Sequence, residues 1–102
     1  MEFAKPQKFT ARVSDKYFVS DNEMFLYVKF ELVLPDRINF HAGQYVSLKV
    51  NEKGERRSYS IASTPDDNHG FHLLAELVHA GSGSEYLLNL KPGDEVEVLA
   101  PL

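Results

Sequence analysis

RRSYSIAST, residues 56–64, has the length of a β-strand and the wrong composition for a buried one. It carries two arginines, a tyrosine and four hydroxyl residues, Ser58, Ser60, Ser63 and Thr64, against two plainly apolar residues, Ile61 and Ala62. Strands that pack into a core favour Val, Ile and the aromatics. A strand this polar in a small domain has something other than the core to hold, and its neighbours in sequence say where it sits.

On both sides the chain alternates. FTARV (9–13) sets Phe9, Ala11 and Val13 on one face, and FLYVKFEL (25–32) sets Leu26, Val28, Phe30 and Leu32 inward with Tyr27, Lys29 and Glu31 outward. LPDRINF (34–40) breaks at Pro35 and Asp36. GQYVSLKV (43–50) aligns Val46, Leu48 and Val50, and NEKGE (51–55) is a polar hairpin turn with Gly54. After the query strand and the turn TPDDNHG (64–70), FHLLAEL (71–77) aligns Phe71, Leu73, Ala75 and Leu77. KPGDEVEV (91–98) gives a turn and a last strand with Val96 and Val98 inward. GSGSEYLLNL (81–90) has no period of two. Tyr86, Leu87 and Leu90 make a helical stripe there, with Ser84 as the cap and Glu85 in the first turn. Six strands and one short helix predict an all-β domain spanning 1–102, a six-stranded antiparallel Greek-key barrel.

Bulk properties narrow the function. The 102 residues, 43% of them hydrophobic, suffice for one core. Eleven Lys and Arg against fifteen Asp and Glu give a net charge of −4, which argues against nucleic acid as a partner. The absence of cysteine excludes disulfides, thiolate nucleophiles and iron–sulfur ligation within the chain. No apolar run approaches the ~20 residues of a membrane span, and no secretory signal opens the chain. The expected setting is the cytoplasm. His69 and His72 have a His-x-x-His spacing without a companion carboxylate, so no metal is expected; His41 and His79 read as surface or satisfied polar residues. Arg56, Glu95 and Glu97 read as solvated.

The period of two places Arg57 and Tyr59 on one strand face, roughly 6.5–7 Å apart. Arginine offers a fork of donors suited to phosphate, and tyrosine a flat ring that stacks on a heterocycle. Ser58, Ser60 and Ser63 add hydroxyl donors. In AGSGSEYL, Gly81 and Gly83 let backbone amides approach a ligand where a helix begins, and a helix N-terminus is an anion site. A dinucleotide with a planar head would use all of these.

These residues resemble a known family. Arg57-Ser58-Tyr59-Ser60 is similar to the Arg-x-Tyr-Ser/Thr flavin signature of the ferredoxin–NADP reductase superfamily. Residues 81–102, with Gly-x-x-Ser at Gly81 and Ser84 and a Pro-Gly-Asp turn, resemble its second segment, and FHAGQYVSLKV (40–50) resembles its third strand. The resemblance covers the whole chain in order. It implies an FAD-binding barrel, with FMN as the other flavin, in an NAD(P)H-dependent oxidoreductase that transfers electrons. Arg57 would contact the diphosphate, Tyr59 would stack on the isoalloxazine, and Ser60 would sit near its N5. Alternation puts Ser60 on the face opposite Tyr59, so that role needs strand-end geometry or the backbone N–H. The segment Gly81, Ser82, Gly83 and Ser84 would bind the diphosphate; Glu76, Leu77 and Val78 would lie along the ribityl chain and ring. No residue of this chain is expected to be catalytic; Ser60 is expected only to lie near the flavin N5. The superfamily carries its nicotinamide-binding domain after the barrel, and that domain is absent from these 102 residues. NAD(P)H is therefore expected to act through a separate domain. The electron acceptor stays open among a ferredoxin, an oxygenase component, a haem protein and a quinone. Two other readings are a barrel that binds oligonucleotide or a partner protein through Tyr45, Tyr59 and Phe71, and a barrel with an empty, degenerate site.

Overall fold

The computed structural model describes residues 6–19, 21–77 and 81–102. Six strands are present: β1 Gln7–Phe18, β2 Phe25–Leu34, β3 Tyr45–Lys49, β4 Arg56–Ser60, β5 Gly70–Glu76 and β6 Glu95–Ala100, with the helix α1, Ser82–Asn89, between β5 and β6. They form one antiparallel sheet in the order β4-β3-β6-β1-β2-β5. Curled on itself, this sheet is a nearly closed six-stranded barrel, the architecture that the alternation predicts. The family-like Greek-key order arises because β6 returns to lie between β3 and β1.

The inward residues are the predicted ones. Phe9, Ala11, Val13, Leu26, Val28, Phe30, Val46, Leu48, Phe71, Leu73, Val96 and Val98 are all buried. Phe30 and Phe71 are paired across β2 and β5 and stack with ring centroids 5.0 Å apart. Leu87 and Leu90 of α1 join the same core, while Leu77 and Tyr86 pack on its margin. Gly70 is required by packing, because a Cβ there would overlap the Phe30 carbonyl. Gly54 turns the β3–β4 hairpin with φ of 88°, in the left-handed region that glycine tolerates.

Two readings need correction. β1 continues past Val13 to Phe18, because a register shift between Val13 and Asp15 resets the alternation and hides the second half of the strand. Phe71 is fully buried against Phe30, so it offers no ring to a base.

β4 and β5, the two sheet edges, meet through one bridge, Ile61 to Leu73. The Ala62 N–H donates to the His72 carbonyl at 2.8 Å, and the His72 N–H donates to Ser63 Oγ at 3.0 Å. Ser63 thus belongs to the seam, where its hydroxyl oxygen accepts from β5. The polar query stretch divides accordingly: residues 56–60 form an edge strand, and residues 61–63 stitch it to β5.

Truncating Phe71→Ala should cost about 3–5 kcal/mol of stability. Leu74→Ala, half-exposed on the outer face of the same strand, should cost under about 0.5 kcal/mol. Urea unfolding of the two variants checks the difference, and similar losses would contradict the assigned faces.

Candidate functional site

Arg57 and Tyr59 pair with Leu48 and Val46 of β3 and so share their inward-pointing face. The sheet stops at β4, and the space beside that face is filled by the start of α1. Gly83 is buried there: a Cβ on it would lie 2.5 Å from Tyr59 Oη and 3.0 Å from Arg57 Cγ. The two segments singled out by sequence, 57–59 and 81–84, are therefore in contact. Arg57, Tyr59 and Gly83 form the cradle.

Of Gly81 and Gly83, only Gly83 has a steric reason to be glycine. Gly81 is extended and exposed, with nothing within 4 Å of a Cβ position. Gly81, not Ser84, is the N-cap residue, and no side chain caps the helix. Ser84 lies inside the first turn, half-buried. The Glu85 N–H donates to the Gly81 carbonyl at 2.9 Å, the first bond of the helix. The amides ahead of it point out of the helix end, the direction from which a helix binds anions.

Tyr59 is half-buried on the core margin, and burial raises its pKa against the opposing pull of the Arg57 charge. The phenol is thus a neutral hydroxyl donor beside a fixed cation. The Arg57 guanidinium lies along its own strand, donating to the Arg56 carbonyl at 2.8 Å and pairing with Glu55 at 3.3 Å. Glu55, which had no sequence signal, is the carboxylate paired with Arg57. Ser58 and Ser60 are exposed opposite Ser47 and Tyr45, on the face away from Tyr59. Glu76 is exposed and Leu77 half-buried at the end of β5, and Val78 lies outside the described residues.

Arg56 departs from its reading as a solvated residue. Its guanidinium is 28% exposed, bonds Glu97 Oε2 at 2.5 Å and donates to the Ser47 carbonyl at 3.2 Å. Glu97, read as solvated, also faces Lys8 at 3.8 Å. One arginine of the pair ties β4 to β6, and the other faces the cradle. Their alternation along the strand makes that division of roles unavoidable.

The far end of α1 held a residue that the sequence did not suggest. Lys16 of β1 donates from Nζ to the carbonyls of Leu88 at 2.7 Å and Leu90 at 2.6 Å. Burial lowers its pKa, and Asp94 pulls the other way.

A concavity of about 490 Å³ lies elsewhere, between His41, Tyr45, Pro101 and Leu102. Its lining among the described residues includes no arginine or lysine, whereas the cradle has Arg57.

Comparison with known proteins places the chain in a family. The model of the oxidoreductase FAD-binding domain family matches residues 10–102. The chain belongs to that family. As a barrel of the ferredoxin–NADP reductase type it has FAD as its flavin. The reductase component 1 of terephthalate 1,2-dioxygenase from Comamonas sp. is 33% identical over 95 residues, which are 93% of this chain and 27% of that protein. Ferredoxin–NADP reductase B of Sorangium cellulosum (strain So ce56) is 44% identical over 64 residues, 61% of this chain and 26% of that protein. Among solved structures, the Amycolatopsis cytochrome P450 reductase GcoB superposes with a TM-score of 0.81 at 30% identity, over 95% of this chain and 28% of that one. The chain spans about a quarter of the length of these relatives.

The FAD-binding family fits the residues present. Gly83 leaves room where a side chain would displace Tyr59, Arg57 supplies the cation, and the helix end supplies amides. Arg57→Ala should weaken FAD binding by about 1.5–3 kcal/mol, the value of a charge-assisted hydrogen bond. Arg56→Ala should lower the melting temperature and leave FAD affinity nearly unchanged. Gly83→Ala should weaken binding, and Gly81→Ala should not. Flavin fluorescence titration with a thermal melt of each variant checks all four; equal affinity losses for the two arginine variants would mean the strand register is wrong.

Proposed function

We propose that this domain is the FAD-binding module of an NAD(P)H-dependent electron-transfer reductase. The observation that carries the reading is the contact of Gly83 with Arg57 and Tyr59, which joins the two halves of the flavin signature. Support comes also from the relatives, which are reductases or reductase components of oxygenases.

FAD, when bound, supplies the hydride acceptance and the electron release. The chain's own contribution is binding and orientation. Arg57 and the N-terminal amides of α1, from Gly81 to Ser84, hold the diphosphate. Exchange of the Glu55 carboxylate for phosphate frees the Arg57 fork for that purpose. Tyr59 presents its ring to the isoalloxazine, and its raised pKa keeps the hydroxyl protonated as a donor. Ser60 reaches the reacting end of the ring through its backbone or the twist at the end of β4. Glu76, Leu77 and Val78 line the other side. The barrel is the domain from 1 to 102, and the nicotinamide is held by a separate domain, as the span of about a quarter of each relative suggests. The electron acceptor is a redox protein of the kind served by oxygenase reductase components, and the setting is the cytoplasm. No helix of the described residues is long and apolar enough to cross a membrane.

The chain alone should bind FAD and quench its fluorescence, yet oxidise NADH no faster than free FAD does. Positioning of the two reactants supplies much of the rate of such a transfer, and on the proposed reading that positioning of the nicotinamide comes from the separate domain. Addition of a nicotinamide-binding domain from a reductase relative, joined to the C-terminus, should give dye reduction. NADH oxidation by the 102 residues clearly above the free-FAD control would overturn the division of labour.

A further inference from the structure

Helix α1 has eight residues, too few to be stable alone, since isolated helices shorter than ~12–15 residues are marginal. Its N-cap has no side-chain hydrogen bond and its last turn has no basic residue of its own. Its position is set from outside. Leu87 and Leu90 anchor one stripe in the core. The C-terminal carbonyls, which the helix leaves without partners, are taken by Lys16, at 2.7 Å to Leu88 and 2.6 Å to Leu90. Two bonds from one ammonium fix both the axial position and the rotation of the last turn. A cation at this end also opposes the negative pole of the helix.

The other end of the same helix presents Gly83 to Tyr59 Oη and Arg57 Cγ with no slack. Residues 82 to 89 span about 12 Å at 1.5 Å per residue, and a two-turn helix transmits a displacement without bending. The N-terminal amides and the Gly83 gap therefore sit where the C-terminal clamp puts them. β1 pairs with β6 over Gln7 to Arg12 and with β2 from Thr10 to Phe18, and Lys16 lies in the second part, opposite Val28, so it projects from a strand held in the sheet by β2.

We propose that Lys16 is a positioning residue for the FAD site: by clamping the C-terminus of α1 to β1, it holds Gly83 and the helix N-terminus in register with Arg57 and Tyr59. The inference rests on the reading of that cradle as the flavin site, and it concerns a residue outside the flavin signature and outside ligand contact.

The test uses the full chain as Lys16→Met, which keeps the alkyl stem, with Lys16→Arg and Lys16→Gln beside it. Two quantities are read: FAD affinity by fluorescence titration, and the backbone amide resonances of residues 82–85 and 57–59 without FAD. Lys16→Met should weaken FAD binding roughly tenfold, as loss of charge-assisted bonds implies, and should move the Gly83 and Tyr59 amides. Lys16→Arg, which can again donate to both carbonyls, should return both quantities toward the parent. Lys16→Gln is scored on the same two readouts if the methionine variant does not fold. Arg57→Ala serves as reference. Cradle resonances in place and FAD affinity within twofold of the parent, in a variant without the ammonium, would overturn the proposal. If Arg57→Ala also leaves affinity unchanged, the site reading fails instead, while the Gly83 shift in the FAD-free protein still scores the clamp.

Discussion

Strands β4 and β5 are the two edges of one six-stranded sheet, and they touch at a single bridge between Ile61 and Leu73. An edge strand has backbone groups and one side-chain face without a strand neighbour, and a protein must cover it or use it. Here the edge of β5 away from β2 is met by residues 61–63, and the inward face of β4 beyond that point is met by the start of α1. The gap is where the barrel wall is incomplete, and Arg57 and Tyr59 stand on its rim. A fully closed barrel would have placed both side chains in a core with no room for a guanidinium, since burying an unpaired charge is costly. On the proposed reading, the incomplete closure is what makes room for the cofactor.

The helix that meets this rim is short and borrowed from its surroundings. Its apolar stripe is anchored in the core, its C-terminus is clamped by a strand lysine, and its N-terminus is left to face the cradle. Capping a helix end with its own side chains would have used the amides that an anion needs. The missing side-chain cap at Gly81 is the cost of keeping that end available. On β4, the neighbouring arginines divide the work by alternation: Arg56 bonds Glu97 and the Ser47 carbonyl on one face, and Arg57 faces the gap on the other.

Much of this was legible from single residues in order. The period of two in residues 25–32, 43–50 and 71–77 named the inward faces, because each strand has one face in the core and one in solvent. The joint face of Arg57 and Tyr59 followed from the same arithmetic. What escaped was set by distance along the chain. Lys16 bonds carbonyls 72 and 74 residues away, and nothing in SDKYF announces it. The register shift after Val13 reset the alternation and made the second half of β1 unreadable. Of two adjacent glycines, only Gly83 is constrained, because only it meets side chains from another strand. Ser84 looked like a cap because serine favours that position, but the helix begins two residues earlier. Arg56 looked solvated because the sequence does not say that β6, with Glu97, lies beside β3.

The central claim is that FAD sits across the β4–α1 rim. Two-dimensional amide NMR of the uniformly labelled chain, with FAD added stepwise, tests it most directly. Shifts are predicted to concentrate in residues 55–60, 76–77 and 81–85, with the residues around the concavity at His41 to Tyr45 and Leu102 moving less. Changes centred on that second surface, with Arg57, Tyr59 and Gly83 unmoved, would contradict the account.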